Sequence, residues 1–259
     1  MTVTLEAGVV DGIAFVTQGQ GTPVTVFAHG LGGSIAETRP LASKVTGTRV
    51  LIDHRGHGAS AALVDGWDYD LLARDLLAVA DAVGASRAVG LSLGAGALLR
   101  LLSLEPGRFA KLAFVLPAAI DVGRTDGAVL RLRLLGEAIV AGDARAAADL
   151  LLAELPVAVR DRRGVDAVLL RRARALVDRE PPAPRGEDRP LRSRAVLADV
   201  TAPSLVIGQA GDDLHPSALA CELAGLLPTS ELLLLPEGGV FWTDTATAQQ
   251  ALADHLMED

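Results

Sequence analysis

Apolar and polar positions follow two rhythms that alternate along most of the chain. Short apolar runs end at glycine or a turn residue. Val24 to Ala28 stops at His29-Gly30, Arg49 to Asp53 at Arg55-Gly56, Ala88 to Leu91 at Ser92, and Lys111 to Leu116 at Pro117. None of them alternates, which is the pattern of strands covered on both faces. Helical periods lie between them. From Asp70 to Val83, the residues Leu72, Leu76, Val79, Ala80 and Val83 share one face, and Leu93 to Leu104 runs on until Glu105-Pro106-Gly107. Strands alternating with helices predict parallel βαβ units, with helices on both sides of a sheet. Ahead of them, Val3 to Thr17 reads as two short strands around the turn Val10-Asp11-Gly12.

The texture changes between Asp121 and Asp199. This stretch is rich in Arg, Ala and Leu and carries no strand pattern. Arg131 to Ala141, Ala144 to Leu155 and Val165 to Val177 read as helices, and Pro181 through Pro190 as a turn-rich linker. Its arginines mostly have Asp or Glu neighbours, so a solvated mixed-charge face is expected rather than an anion site. The sheet rhythm resumes at Ser204 to Ile207, followed by a helix at Ser217 to Leu227. Glu231 to Leu235 is read as a buried strand, and a last helix, Thr245 to Met257, starts after the capping residues Thr243 and Asp244. The expected organisation is a core of residues 1–120 and 200–259, with 121–199 inserted as a helical cap over the C-terminal edge of the sheet.

Composition narrows the function classes. The 259 residues are half apolar but only 3% aromatic, so Leu, Val and Ala must fill most of the core. A net charge of −8 makes the chain a poor partner for nucleic acid or an anionic membrane. The single cysteine, Cys221, excludes an internal disulfide, reads as a packed helix residue and fits a reducing cytoplasm. Met1 to Val10 shows no basic stretch followed by an apolar core, and no apolar run is long enough to span a bilayer. A cytoplasmic location is therefore expected. The five histidines, His29, His54, His57, His215 and His255, are scattered without a metal-site spacing, so no metal is expected.

The chemistry concentrates at Gly90-Leu91-Ser92-Leu93-Gly94, between a predicted strand and a predicted helix. In that setting Gly-x-Ser-x-Gly places a serine on a strained turn, its hydroxyl above the sheet at a helix N-terminus. Unpaired N–H groups there suit a developing oxyanion. A Gly-rich turn for close helix–strand packing is the plainer reading of the pentapeptide. A second loop, Phe27 to Ser34, contains His29-Gly30-Leu31-Gly32-Gly33, where Leu31 is the expected N–H donor beside Leu93. A third, Asp53-His54-Arg55-Gly56-His57-Gly58-Ala59-Ser60, is a tight turn.

Together these motifs resemble the α/β-hydrolase superfamily, in its prokaryotic esterase-like branch. The resemblance covers nearly the whole chain. It implies an α/β fold: a mostly parallel, doubly wound sheet with an inserted helical cap. It implies Ser92 as nucleophile and Asp212 as acid, with Asp213 as fallback and capping of the next helix as the bland alternative for either. It implies a base in the late loop Pro236 to Trp242. There the chain reads Gly238-Gly239-Val240-Phe241, and Val240, at the position of the expected histidine, has no proton-accepting atom. No histidine occurs between Pro216 and Ala253, so shifting the alignment does not supply one locally.

His29 reads as structural support, His54 and His57 as turn residues, and His255 as a surface residue of the last helix. His215 is the one candidate substitute base, and packing at a helix start explains it equally well. The first reading is thus a serine hydrolase of small esters with weakened or non-standard base chemistry, and it implies no organic cofactor. A pocket would be formed by Gly30, Leu91, Leu93, Pro117 and Trp242, and the partner would be a small molecule. A binding or scaffold protein without turnover, and a lyase or cyclase on the same fold, are the alternatives.

Overall fold

The N-terminal pattern builds a hairpin. Strands β1 (Leu5–Val10) and β2 (Ile13–Gln18) pair antiparallel with Val10 opposite Ile13. Asp11 and Gly12 close the turn at φ 50° and 82°, the left-handed pair that matches strand twist in a two-residue hairpin loop. β2 then pairs antiparallel with β4 (Thr48–Ile52). From there the sheet is parallel: β3 (Val24–Ala28), β5 (Arg87–Leu91), β6 (Lys111–Val115), β7 (Ser204–Gln209) and β8 (Ser230–Leu235) complete the order β1-β2-β4-β3-β5-β6-β7-β8. This computed structural model describes residues 5–63, 66–123, 126–155, 157–177 and 189–257.

Alternate residues of the central strands feed two cores, because successive Cβ atoms point to opposite faces. Val26, Ala28, Ala88, Leu112, Phe114 and Val206 pack with helices α2 (Tyr69–Ala82), α3 (Leu93–Leu102) and α8 (Ser217–Leu226). Phe27, Val89, Leu91, Ala113, Val115, Leu205 and Ile207 pack with α1 (Ile35–Leu41) and α9 (Thr245–Met257). The non-alternating sequence runs are the signature of this double coverage.

Three expectations are corrected here. β8 is not a buried strand: as the last strand of the sheet it leaves Leu232 and Leu234 41% and 47% exposed, while Leu235 turns into the core. Cys221 is exposed on α8, whose buried residues are Ala220 and Leu223. His255 is buried, its Nε2 lying 3.0 Å from the Leu112 carbonyl, because it follows Leu252 and precedes Leu256 on the inward face of α9.

Among the described residues, four α-helices lie between β6 and β7: α4 (Gly127–Val140), α5 (Ala144–Ala153), α6 (Val157–Arg160) and α7 (Val165–Val177). α4 begins a turn earlier than the periodicity predicted, because Asp126 caps it by accepting from the Ala128 and Val129 amides. Most of the expected linker, Pro181 to Glu187 and Asp188, lies outside the described residues. The two ends of the insertion meet: Leu191 N–H donates to Ile120 O at 2.9 Å, and Arg194 binds Asp121 at 2.6 Å and also pairs with Glu222. Among the described residues, no helix is long and apolar enough to cross a membrane.

Candidate active site

Ser92 joins β5 to α3 with φ 50° and ψ −107°, a conformation that costs an L-residue of order 1–3 kcal/mol and persists only where its surroundings fix it. The glycines around it are what permit the turn. A Cβ at Gly90 would sit 2.5 Å from the Gly94 carbonyl oxygen, one at Gly94 would collide with the Ala28 carbonyl, and one at Gly96 with the Tyr69 ring. The turn is pinned at both ends, by Ser92 N–H donating to Val115 O at 2.9 Å and Gly96 N–H to Ser92 O at 3.1 Å.

The loop after β7 brings a histidine to this serine. Asp212 Oδ1 accepts the His215 backbone N–H at 2.9 Å, and its Oδ2 lies 3.0 Å from His215 Nδ1. The far side of the ring, Nε2, lies 2.9 Å from Ser92 Oγ. With Nδ1 protonated and donating to the carboxylate, Nε2 is left as an acceptor for the serine hydroxyl. Both side chains are largely shielded, at 12% exposure for His215 and 11% for Asp212. Burial pushes the Asp212 carboxyl up, but the hydrogen bonds and charge of His215 outweigh it and hold the group below its usual range.

Helix capping does not account for Asp212: the N-cap of α8 is Pro216, without a side-chain cap, and both Asp212 oxygens are engaged by His215. Asp213, the fallback, points away; it is 83% exposed and lies 3.5 Å from Arg131 Nη2. Val240 is 1% exposed and packed in the core cluster that also holds Leu91 and Leu235, its amide donating to Gln209 Oε1 at 2.8 Å. The expected absence of a proton acceptor at Ser92 therefore meets a different geometry, in which an imidazole arrives from the loop that carries Asp212. The signal was Asp212-x-x-His215, a spacing at which one loop can fold carboxylate and ring together.

The glycine loop after β3 shows a selective use of its amides. Gly30 N–H donates to Glu37 Oε2 at 3.0 Å, Gly32 N–H to His57 Nε2 at 3.1 Å, and Gly33 N–H to Gly30 O at 3.0 Å. Among the described residues no acceptor takes the Leu31 amide, and none takes that of Leu93 at the first position of α3. Gly30 lies against Ser92, a Cβ there being 3.4 Å from Ser92 Cβ. His29 braces the loop from below: its Nδ1 is 2.7 Å from Gly30 O, and its Nε2 accepts the His54 amide at 2.9 Å. Burial lowers the pKa of His29, carries that of His54 well below 6.5 and brings that of His57 to about 4, so His57 is neutral and able to accept.

The remaining expected pocket residues fall in different places. Leu91 is 3% exposed and belongs to the core, and Pro117 is buried just beyond β6. Trp242 is half-buried against the insertion, among Leu151, Leu152, Val159, Val165 and Leu169. A cleft of about 460 Å³ lies between the start of α4 and the loop after β7, with Asp126, Arg131, Asp212, Asp213 and Ser217 on its walls. Sequence reasoning missed Glu37, Gln209 and Arg131, polar residues with no motif of their own. Among the described residues no group of His, Cys, Asp and Glu is arranged to hold a metal.

The sequence profile of the family described as alpha/beta hydrolase fold matches residues 23–239, and the chain belongs to that family. Solved structures agree in fold. The carboxylesterase CesB (YbfK) from Bacillus subtilis superposes with a TM-score of 0.78 at 17% identity, covering 99% of this chain and 92% of its own. The enol-lactonase from Burkholderia xenovorans LB400 gives 0.75 at 22% identity, covering 98% and 100%. A thermophilic esterase from Thermogutta terrifontis gives 0.74 at 18% identity, covering 98% of each chain. No curated protein sequence matches the chain.

Proposed function

We propose that the protein is a serine hydrolase of small esters or related acyl compounds, with Ser92 as nucleophile, His215 as general base and Asp212 as the acid that orients it. The observation that carries this reading is the continuous hydrogen-bonded line from Asp212 Oδ2 through His215 to Ser92 Oγ, with contacts of 3.0 and 2.9 Å. The reaction follows from the geometry. As Ser92 Oγ bonds to the acyl carbon, its proton moves to His215 Nε2, and Asp212 stabilises the resulting imidazolium. The Leu31 and Leu93 amides, which donate to nothing else in the described protein, receive the carbonyl oxygen as it becomes negative. His215 then returns the proton to the departing alkoxide. A water attacks the acyl-enzyme, giving its proton to His215, and Ser92 is regenerated. General-base assistance of this kind is worth about 10²–10⁴-fold.

In this reading the helical insertion is a cap, the partner is a small molecule, and no metal or organic cofactor takes part in any step. The esterase and lactonase names of the fold neighbours agree with acyl transfer, although identities of 17–22% carry the fold alone. The binding-protein and lyase readings rested on Val240, and they lose that support once His215 stands beside Ser92. A fluorophosphonate probe tests the assignment. Mass addition on Ser92 is expected, abolished in Ser92→Ala and slowed at least 100-fold in His215→Ala. A wild-type protein left unlabelled after prolonged exposure would overturn it.

A further inference from the structure

Among the described residues, α7 of the insertion reaches the glycine loop directly at Gly32 and indirectly through Glu37 of α1. Arg172 Nη2 binds Glu37 Oε1 at 3.1 Å, while the other oxygen of the same carboxylate accepts the Gly30 amide at 3.0 Å. One turn further along α7, Leu176 covers Gly32, where a Cβ would be 2.9 Å from its Cδ2. Glu37 is 16% exposed and Arg172 42%, so the carboxylate sits beneath the loop and the guanidinium reaches it from the solvent side. Gly33 has no side chain, and a Cβ at that position would collide with the Glu37 carboxylate. The Leu31 amide is thus flanked by two amides whose directions are set by side chains, one of which is tied to the insertion.

We propose that Glu37 is a positioning residue for the Leu31 amide and that Arg172 makes its placement depend on how α7 is seated. This rests on the hydrolase reading above. Glu37 fixes the His29–Gly30 peptide, one unit before the Gly30–Leu31 peptide, whose carbonyl is held by Gly33 N–H and His29 Nδ1. Releasing Gly30 N–H lets the backbone turn at Gly30 and reorients the Leu31 N–H relative to Ser92 without touching the proton relay. Loss of the Glu37 contact therefore weakens stabilisation of the tetrahedral oxyanion more than it weakens substrate binding. The signature is a fall in kcat with KM nearly constant. A purely structural role for Glu37 would instead lower the folded fraction or shift both constants.

The test is steady-state hydrolysis of p-nitrophenyl butyrate by the full chain, with folding checked by circular dichroism and active sites counted by fluorophosphonate labelling of Ser92. Glu37→Leu should lower kcat per labelled site about 10- to 100-fold, with KM changed less than about threefold. Glu37→Gln keeps an oxygen for the Gly30 amide and should recover most of that loss. Arg172→Met leaves the Gly30 contact in place and should lower kcat about two- to fivefold, again at near-constant KM. Should Glu37→Leu fail to fold, Arg172→Met and Glu37→Gln carry the test alone, since one alters a half-exposed contact and the other is nearly isosteric. Full kcat in Arg172→Met, or a folded Glu37→Leu indistinguishable from wild type, overturns the proposal while leaving the hydrolase reading intact. An unlabelled wild-type Ser92 overturns both.

Discussion

Asp212 binds His215 twice, once at the backbone amide and once at the ring, across only three residues. In the proposed reading acid and base therefore share one short loop, and the loop closes on itself before it meets Ser92. The usual division of labour, in which the acid loop and the base loop are separate, is not needed. The loop after β8 is left to pack Val240 into the core and Trp242 against the inserted helices.

Removing the carboxylate should consequently do more than remove a charge. In Asp212→Asn the ring loses its acceptor at Nδ1, and the tautomer that leaves Nε2 free is no longer favoured. Ester hydrolysis should fall about 10²–10⁴-fold in kcat/KM, with fluorophosphonate labelling slowed in parallel. Asp213→Asn should stay within twofold of wild type, as that residue is exposed and contacts Arg131 rather than the site. Equal losses in the two variants would contradict the assignment of the acid.

Val240→His is the substitution the sequence suggests for restoring activity, and the structure predicts that it will not. Val240 is 1% exposed in a packed cluster, and its amide is held by Gln209. An imidazole there is larger and polar, and should cost about 1–3 kcal/mol of stability. Because His215 already stands 2.9 Å from Ser92, no gain in hydrolysis is expected. Thermal melts and p-nitrophenyl ester kinetics check both parts. A tenfold or larger increase in kcat/KM would mean that His215 is not the working base.

The parallel sheet was legible because its central strands are covered on both faces and carry unbroken apolar runs, as at Val24–Ala28 and Lys111–Val115. The serine turn was legible because only glycine fits at Gly90, Gly94 and Gly96. The late part of the chain was harder to read. β8 has the same Leu-rich texture as a central strand, and only the sheet order makes it an edge. His215 was visible as a candidate but could not be preferred, since the turn that folds its ring back onto Asp212 depends on loop torsions. Glu37 carries no signal at all: its partners are the Gly30 amide seven residues before it and an arginine 135 residues later.

His54 offers a stability test apart from the chemistry. It is wholly buried, both ring nitrogens lack a partner in the described protein, and it lies edge-on to His29 and His57 at 4.8 and 6.4 Å between ring centroids. Its backbone contributes instead, the amide donating to His29 Nε2 and the carbonyl accepting the His57 amide. Leucine has similar bulk and brings no unsatisfied polar atoms. His54→Leu should stabilise the fold by about 1–2 kcal/mol in urea denaturation, with kcat unchanged. Destabilisation with loss of activity would show that the ring nitrogens have a function the geometry does not reveal.

The same cluster sets an acid limit on stability. The pKa of each of His29, His54 and His57 is lowered from 6.5, chiefly by burial, and that of His57 falls to about 4. The unfolded chain, with pKa values near 6.5, binds protons more readily than the folded one between those limits. Stability therefore rises with pH through this window: it is complete above about pH 7 and is lost progressively as pH falls from 6.5 toward 4. For His57 alone the loss reaches roughly 3 kcal/mol at most. His255, also lowered by burial, adds to the loss, whereas Asp212, held below 3.8, weakens only at lower pH. Protonated His57 cannot accept the Gly32 amide, so the glycine loop after β3 should loosen with the fold. His57→Gln retains an acceptor and does not titrate. Its urea midpoint should vary less between pH 6.5 and 4 than that of wild type, and coincident profiles would remove His57 from the account.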